Sequence, residues 1–206
     1  DRHYAFTCGG VDLKVTFTAP LFMEDLKLLS RPVNYLTYSV AARDGREHEV
    51  EVYFEASPRW ALDQPYQQSA SKGYEADGLL YLKSGSKEQN ILAKQGDDLR
   101  IDWGYFYMVA GKENTAYSVG NSTELRKNFV NGTLNSASLE GEDSNGNMAL
   151  VRSHGKVKNV TDKIMLGYDD IYSIQYFGTN LRPYWNSKGD RTIEAEMLAA
   201  YNEYDK

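Results

Sequence analysis

Carboxylates and aromatic rings crowd into two short stretches of this 206-residue chain. "GDDLRIDWGY" brings Asp97, Asp98 and Asp102 around Arg100 and continues into Trp103, while "YDDIYSIQYFGTNLRPYWN" runs from Tyr168, Asp169 and Asp170 to Tyr184 and Trp185. Paired carboxylates can divide acid and base roles or hold Ca²⁺ through their oxygens. Adjacent residues on a strand point to opposite faces, however, so neither Asp97–Asp98 nor Asp169–Asp170 forms a dyad on spacing alone. Turn formation, loop capping and pairing with Arg31, Arg100 or Arg182 is the plainer account of these acids; direct catalysis is the minority reading.

Other chemistry has less to work with. His3, His48 and His154 are the only histidines, and none stands at metal-ligand spacing from another, so each reads as a surface or strand residue. Cys8, the single cysteine, lies in "TCGGV" and reads as an inert turn or buried thiol; it allows neither an internal disulfide nor a thiolate metal cluster. There is no G-x-S-x-G elbow and no phosphate-cradling glycine motif. These residues nominate no catalytic group, no metal and no cofactor.

Composition narrows the partners. Lys and Arg total 23 against 29 Asp and Glu, a formal charge of -6 with no basic stripe, which excludes nucleic acid as the main partner. No apolar run approaches the roughly eighteen residues of a membrane helix. The opening "DRHYAFTCGG" has neither an initiator Met nor the apolar core of a signal peptide, so the chain reads as a section of a longer one. Sixteen tyrosines favour half-buried strands and a broad, wet contact face.

The elements that must position the two stretches follow from period-two alternation. Val11, Leu13, Val15 and Phe17 alternate with polar residues, as do Leu36, Tyr38 and Val40, then Val50, Val52 and Phe54, with Asp44-Gly45 as a hairpin turn between the last two runs. Further strands are expected at 78–83, 88–93, 99–108, 149–157 and 171–177, which gives an all-β antiparallel sandwich. Residues 111–147, rich in Gly, Asn and Ser, read as a long loop holding one short helix capped by Asn121 and stopped at Gly132. A final helix starts at Thr192, with Ile193, Met197, Tyr201 and Tyr204 on one stripe. It is either a connector to a body elsewhere or a helix docked on its own sandwich. Aromatic rows on both sides of 99–108 and 171–177 imply strands covered on both faces, and a companion body is the economical cover.

Four stretches carry a family resemblance: "VDLKVTFTAPLFMEDLKLLSRPVNYLTYSV", "DGREHEVEVYFEASPRWA", "EQNILAKQGDDLRIDWGYFYM" and "MLGYDDIYSIQYFGTNLRPYWNSKG". Together they cover somewhat more than half the chain and resemble the N-terminal β-sandwich region of the glutaminase A family of fungi and bacteria. The resemblance implies a supersandwich-like domain over 1–190 and a connector helix over 191–206, leading to a helical toroid domain of the same parent chain. It further implies an exported hydrolase, extracellular or periplasmic, that converts L-glutamine to L-glutamate and ammonia, with the chemistry in the helical part. It assigns a catalytic role to no residue here, and it leaves open further strands ahead of Asp1. On this reading Asp97, Asp98, Asp102, Trp103, Tyr168, Asp169, Asp170, Tyr184 and Trp185 form a docking face or the rim of a site. A carbohydrate-binding sandwich that stacks sugars on the same rings, and a self-contained hydrolase using the acids, are the alternatives.

Overall fold

The alternating segments build strands. A computed structural model describes residues 1–97, 99–134 and 146–205, and in chain order these form β1 (Arg2–Cys8), β2 (Val11–Thr18), α1 (Leu26–Ser30), β3 (Val33–Ala42), β4 (His48–Ala56), β5 (Ser69–Ala76), β6 (Leu79–Ser86), β7 (Tyr105–Gly111), β8 (Thr115–Gly120), α2 (Ser122–Val130), β9 (Asn147–Val157), β10 (Asn159–Asp169), β11 (Ile174–Tyr176), β12 (Thr179–Leu181) and α3 (Ile193–Glu203). Seven strands pair in the order β1-β2-β3-β10-β7-β6-β5, three more in the order β4-β9-β8, and β11 with β12. Every pairing is antiparallel. This is the all-β sandwich with a short C-terminal helix that the patterning implies.

The large sheet is apolar on both sides because its strands alternate two apolar sets. Leu36, Tyr38, Val40, Leu82, Phe106, Met108, Ala110 and Ile164 face the small sheet and meet Val50, Val52, Met148 and Leu150. The opposite parity, with Val33, Tyr35, Leu79, Tyr81, Tyr107, Val109 and Met165, meets Trp185, Ile193, Met197 and Ala200. Three layers result: small sheet, large sheet, helix. Each large apolar side chain fully buried in such a core is worth ~1.5–3 kcal/mol relative to an exposed position.

Of the two roles open to the last helix, packing on its own sheet is observed. Thr192 caps it by accepting from the Ala195 amide, and Met197 and Ala200 are completely buried beneath it. Tyr35 adds a hydrogen bond from its hydroxyl to the Ala200 carbonyl at 2.9 Å. Close approach depends on Gly167: a Cβ there would sit 2.1 Å from the Met197 methyl and 2.6 Å from the Pro32 carbonyl. The tyrosines of β7 therefore find their cover within this chain.

Several expected elements differ. Residues 88–93 form turns and bends, with Gln89 and Leu92 at positive φ, because consecutive Glu88, Gln89 and Asn90 break the alternation. The strand expected at 99–108 starts only at Tyr105, after a break at Gly104 (φ 77°), and that expected at 171–177 shrinks to β11 between Ile171 and Phe177, both at positive φ. Alternation alone did not announce β1, β5, β8 or β10. Asn121 caps α2 as expected, while residues 135–145 of the Asn/Ser-rich stretch lie outside the described residues.

His154 is better connected than its isolation in the sequence implies. Between the sheets its Nε2 lies 2.7 Å from the Tyr38 hydroxyl, which donates to Asp162 at 3.2 Å; Asp162 in turn accepts two bonds from Arg152 at 2.6 and 2.8 Å. Burial first, and the Arg152 charge after it, push the His154 pKa down against the pull of Asp162. The cluster joins β3, β9 and β10 across the core, a structural use of a polar network.

Gly167→Ala is expected to lower stability by ~1–3 kcal/mol, since the backbone carbonyl of Pro32 cannot retreat as a methionine side chain can. Urea unfolding checks this, and pairing the change with Met197→Ala should restore little.

Candidate functional site

Long connections gather at one end of the sandwich. The other end is closed by tight turns at Gly9-Gly10, Asp77-Gly78 and Lys158, whereas residues 19–32, 57–68, 87–97, 99–104 and 170–192 loop over the opposite end. Loops on a rigid sheet are where binding residues tend to lie. Both stretches singled out in the sequence are here.

Trp103 locks them together. Its indole N–H lies 2.8 Å from the Asp170 carbonyl and 3.0 Å from that of Tyr172, and its own carbonyl accepts from the Tyr168 hydroxyl at 2.5 Å. Gly104 is required at the crossing, because a Cβ would fall 2.2 Å from the Asp169 carbonyl. Gln89 clamps the same glycine from the other side, accepting from its amide at 2.8 Å and donating to its carbonyl at 3.1 Å. Gln89, residues 103–104 and residues 168–172 are therefore bonded together.

The acids divide into committed and perturbed groups. Asp102 is 1% exposed and accepts from Gln67 at 2.8 Å and from Lys94 at 3.1 Å, so it holds the loop of residues 57–68 to that of 87–104. Asp170 accepts from the Ser173 hydroxyl at 2.6 Å and caps the turn into β11. Asp97 is exposed, and Asp98 lies outside the described residues. Asp169 differs: its carboxylate accepts from the Ile171 amide at 3.0 Å, and burial pushes its pKa up, helped by the charges of Asp170 and Glu194 and opposed by Lys83.

Lys83 is the partner that alternation on a single strand could not reveal. Pairing sets Lys83 against Tyr107 and Asp169 against Tyr105, so all four belong to the helix-side face of β6, β7 and β10. The Lys83 ammonium sits 3.6 Å from the centre of the Tyr105 ring, a cation–π contact. Burial lowers its pKa, and nearby Lys72 adds to the shift. Glu194, at the start of α3, reaches the same face and accepts from Tyr74 at 2.6 Å. Oppositely perturbed acid and base groups on one face at a loop-rich sheet end make it a candidate functional site. Lys83, Tyr74 and Glu194 were missed because they converge only across strands β5, β6 and β7 and the helix.

The two residues expected to close the face part company. Trp185 is 4% exposed and belongs to the core under α3, whereas its neighbour Tyr184 is 59% exposed. Exposed aromatic surface continues along the β11–β12 hairpin, where Tyr176 and Phe177 are 62% and 91% exposed and pack edge to face. Among the described residues no group of three or more His, Cys, Asp or Glu is placed to hold a metal ion.

The fold and this loop-end face define a helix-backed antiparallel β-sandwich domain with an aromatic, acid-bearing end. The chain belongs to the DUF5127 family, described as a domain of unknown function, which matches residues 2–206. It is also similar to Glutaminase A of Aspergillus oryzae (strain ATCC 42149 / RIB 40), at 28% identity over 180 residues, covering 82% of this chain and 25% of that protein. The chain thus spans about a quarter of the length of this curated relative.

Trp103→Phe keeps the ring and removes the N–H, leaving two carbonyls short of a donor; a loss of ~1–3 kcal/mol is expected, with faster amide exchange over residues 170–173. Asp169→Asn tests the raised carboxyl pKa. A folded-state pKa above the ordinary 3.8 means that ionised Asp169 costs stability at neutral pH, a cost fully relieved once the pH drops below 3.8. The variant should therefore be at least as stable as the parent sequence at pH 7, and denaturant titrations should show this margin closing as the pH falls.

Proposed function

We propose that the chain is the non-catalytic β-sandwich domain of a glutaminase-related protein, and that its loop end docks and supports a helical domain in which L-glutamine is converted to L-glutamate and ammonia. The observation that carries this reading is the pairing of an outward aromatic hairpin, β11–β12, with a polar cluster whose members are already occupied within the chain. Asp102, Trp103 and Asp170 spend their polar atoms on holding loops, which is how a rigid platform is built. Tyr176, Phe177 and Tyr184 are left as the apolar surface that a second body would cover. The match to a quarter of a glutaminase A supports a larger parent chain.

The two tryptophans favour this reading over sugar binding. Stacking platforms use accessible rings, and here Trp185 is buried while the Trp103 N–H is spent on backbone carbonyls. The decisive measurement is ammonia release from L-glutamine by this chain and by its longer parent. Activity is expected from the parent and none above background from the chain; turnover by the chain at the parent's rate would place the chemistry in the sandwich. Retention on polysaccharide gels that is lost in Tyr176→Ala and Tyr184→Ala would instead favour a carbohydrate module.

A further inference from the structure

The sandwich is closed along one side and open along the other. On the closed side Tyr117 of β8 lies so near β5 that a Cβ on Gly73 would meet its ring at 2.3 Å. On the open side the large sheet continues through β1 and β2, beyond the edge of β4. The inward faces of these outer strands are apolar, by the register Tyr4↔Val15 and Phe6↔Leu13, then Phe17↔Leu36. Tyr4 and Phe6 remain 47% and 53% exposed, and Trp60, which packs on Phe106, is 62% exposed. Between these walls runs a groove of about 470 Å³, lined by Tyr4, Phe6, Phe17, Phe54, Trp60 and Phe106 among others.

The C-terminal part of β4, Phe54 to Ala56, borders this groove. Within the described residues β4 pairs with β9 alone, so one row of its backbone N–H and C=O groups has no strand partner. A bare edge beside an apolar floor is a template for one more strand. Charge says which kind. The side chains of β4 that point away from the groove include Glu49 and Glu51, both exposed. A second copy added edge to edge and centred on Val50 would set Glu49 against the partner's Glu51, a like-charge cross-strand arrangement that opposes pairing.

We infer that the edge of β4 receives an extended segment of the parent polypeptide lying outside these 206 residues, its inward positions apolar and its outward positions Lys or Arg. The added strand widens the small sheet, buries Tyr4, Phe6 and Trp60, and places its cations beside Glu49 and Glu51. The inference rests on the reading of a longer parent chain, but uses the edge of β4 rather than the β11–β12 hairpin and Tyr184. It makes the sandwich a composite that its own strands do not finish.

Amide hydrogen exchange on this chain and on its longer parent tests this directly. In the parent, the β4 amides that exchange freely in the chain should slow by at least about tenfold, at a degree independent of protein concentration. Protection of residues 99–104 and 170–186 in the same experiment reports docking at the loop end separately. An unprotected β4 beside a protected loop end overturns the added strand alone; the converse overturns the docking reading alone. Protection of β4 in the chain itself that grows with concentration would identify a second copy as the occupant and overturn the inference. Phe6→Ser provides the second check: it should leave the melting temperature of the chain within about 1 °C and lower that of the parent by about 3 °C or more. Equal shifts in both would overturn it.

Discussion

A sheet that is apolar on both faces cannot stand in water, and the rest of the molecule is arranged around covering it. Seven strands supply two parities of apolar side chains; one needs a second sheet and the other a helix. The small sheet meets the first need and α3 the second, and Gly167 keeps the helix close enough for Met197 to be fully buried. The C-terminal helix is thus part of the sandwich's own core.

Covering the sheet also dictates where adaptable surface can lie. Hairpins too short to carry binding groups close one end, so the long connections, with their aromatic and acidic residues, collect at the other. There the side chains sort by physics. Those able to satisfy each other, Trp103 with the carbonyls of residues 170 and 172 and Asp102 with Gln67 and Lys94, knit the loops into a platform. Those that cannot, Tyr176, Phe177 and Tyr184, stay outside. Asp169 and Lys83 form a third group, half-buried charges whose pKa values burial moves in opposite directions.

Two kinds of unfinished surface remain on the molecule: the aromatic loop end and the open side beside β4. They differ in what they ask of a partner. The loop end offers side chains and calls for a complementary body, while the β4 edge offers backbone and calls for a strand. Both belong to a chain that covers a quarter of a glutaminase A, and the architectural role proposed above would give each surface a partner.

Local pattern was enough for β2, β3, β4, β9, α2 and α3, because each alternation, cap or stripe there is dictated by which neighbours in the chain face water. It also singled out Trp103, Asp169 and Asp170 as a cluster, since short stretches dense in acids and rings are visible without a fold. It failed where burial on both faces erases alternation or where polar residues mask it, as in β5 and β10, and where positive φ at Gly104, Ile171 and Phe177 cuts a run of apolar residues into a turn. Only the tertiary structure decided that Trp185 faces inward while Tyr184 faces out, that His154 joins a core network, and that Lys83 and Glu194 share a face with Asp169. Those outcomes depend on strand order and helix docking, long-range pairings whose energy is distributed over the whole core and is encoded in no single stretch of residues.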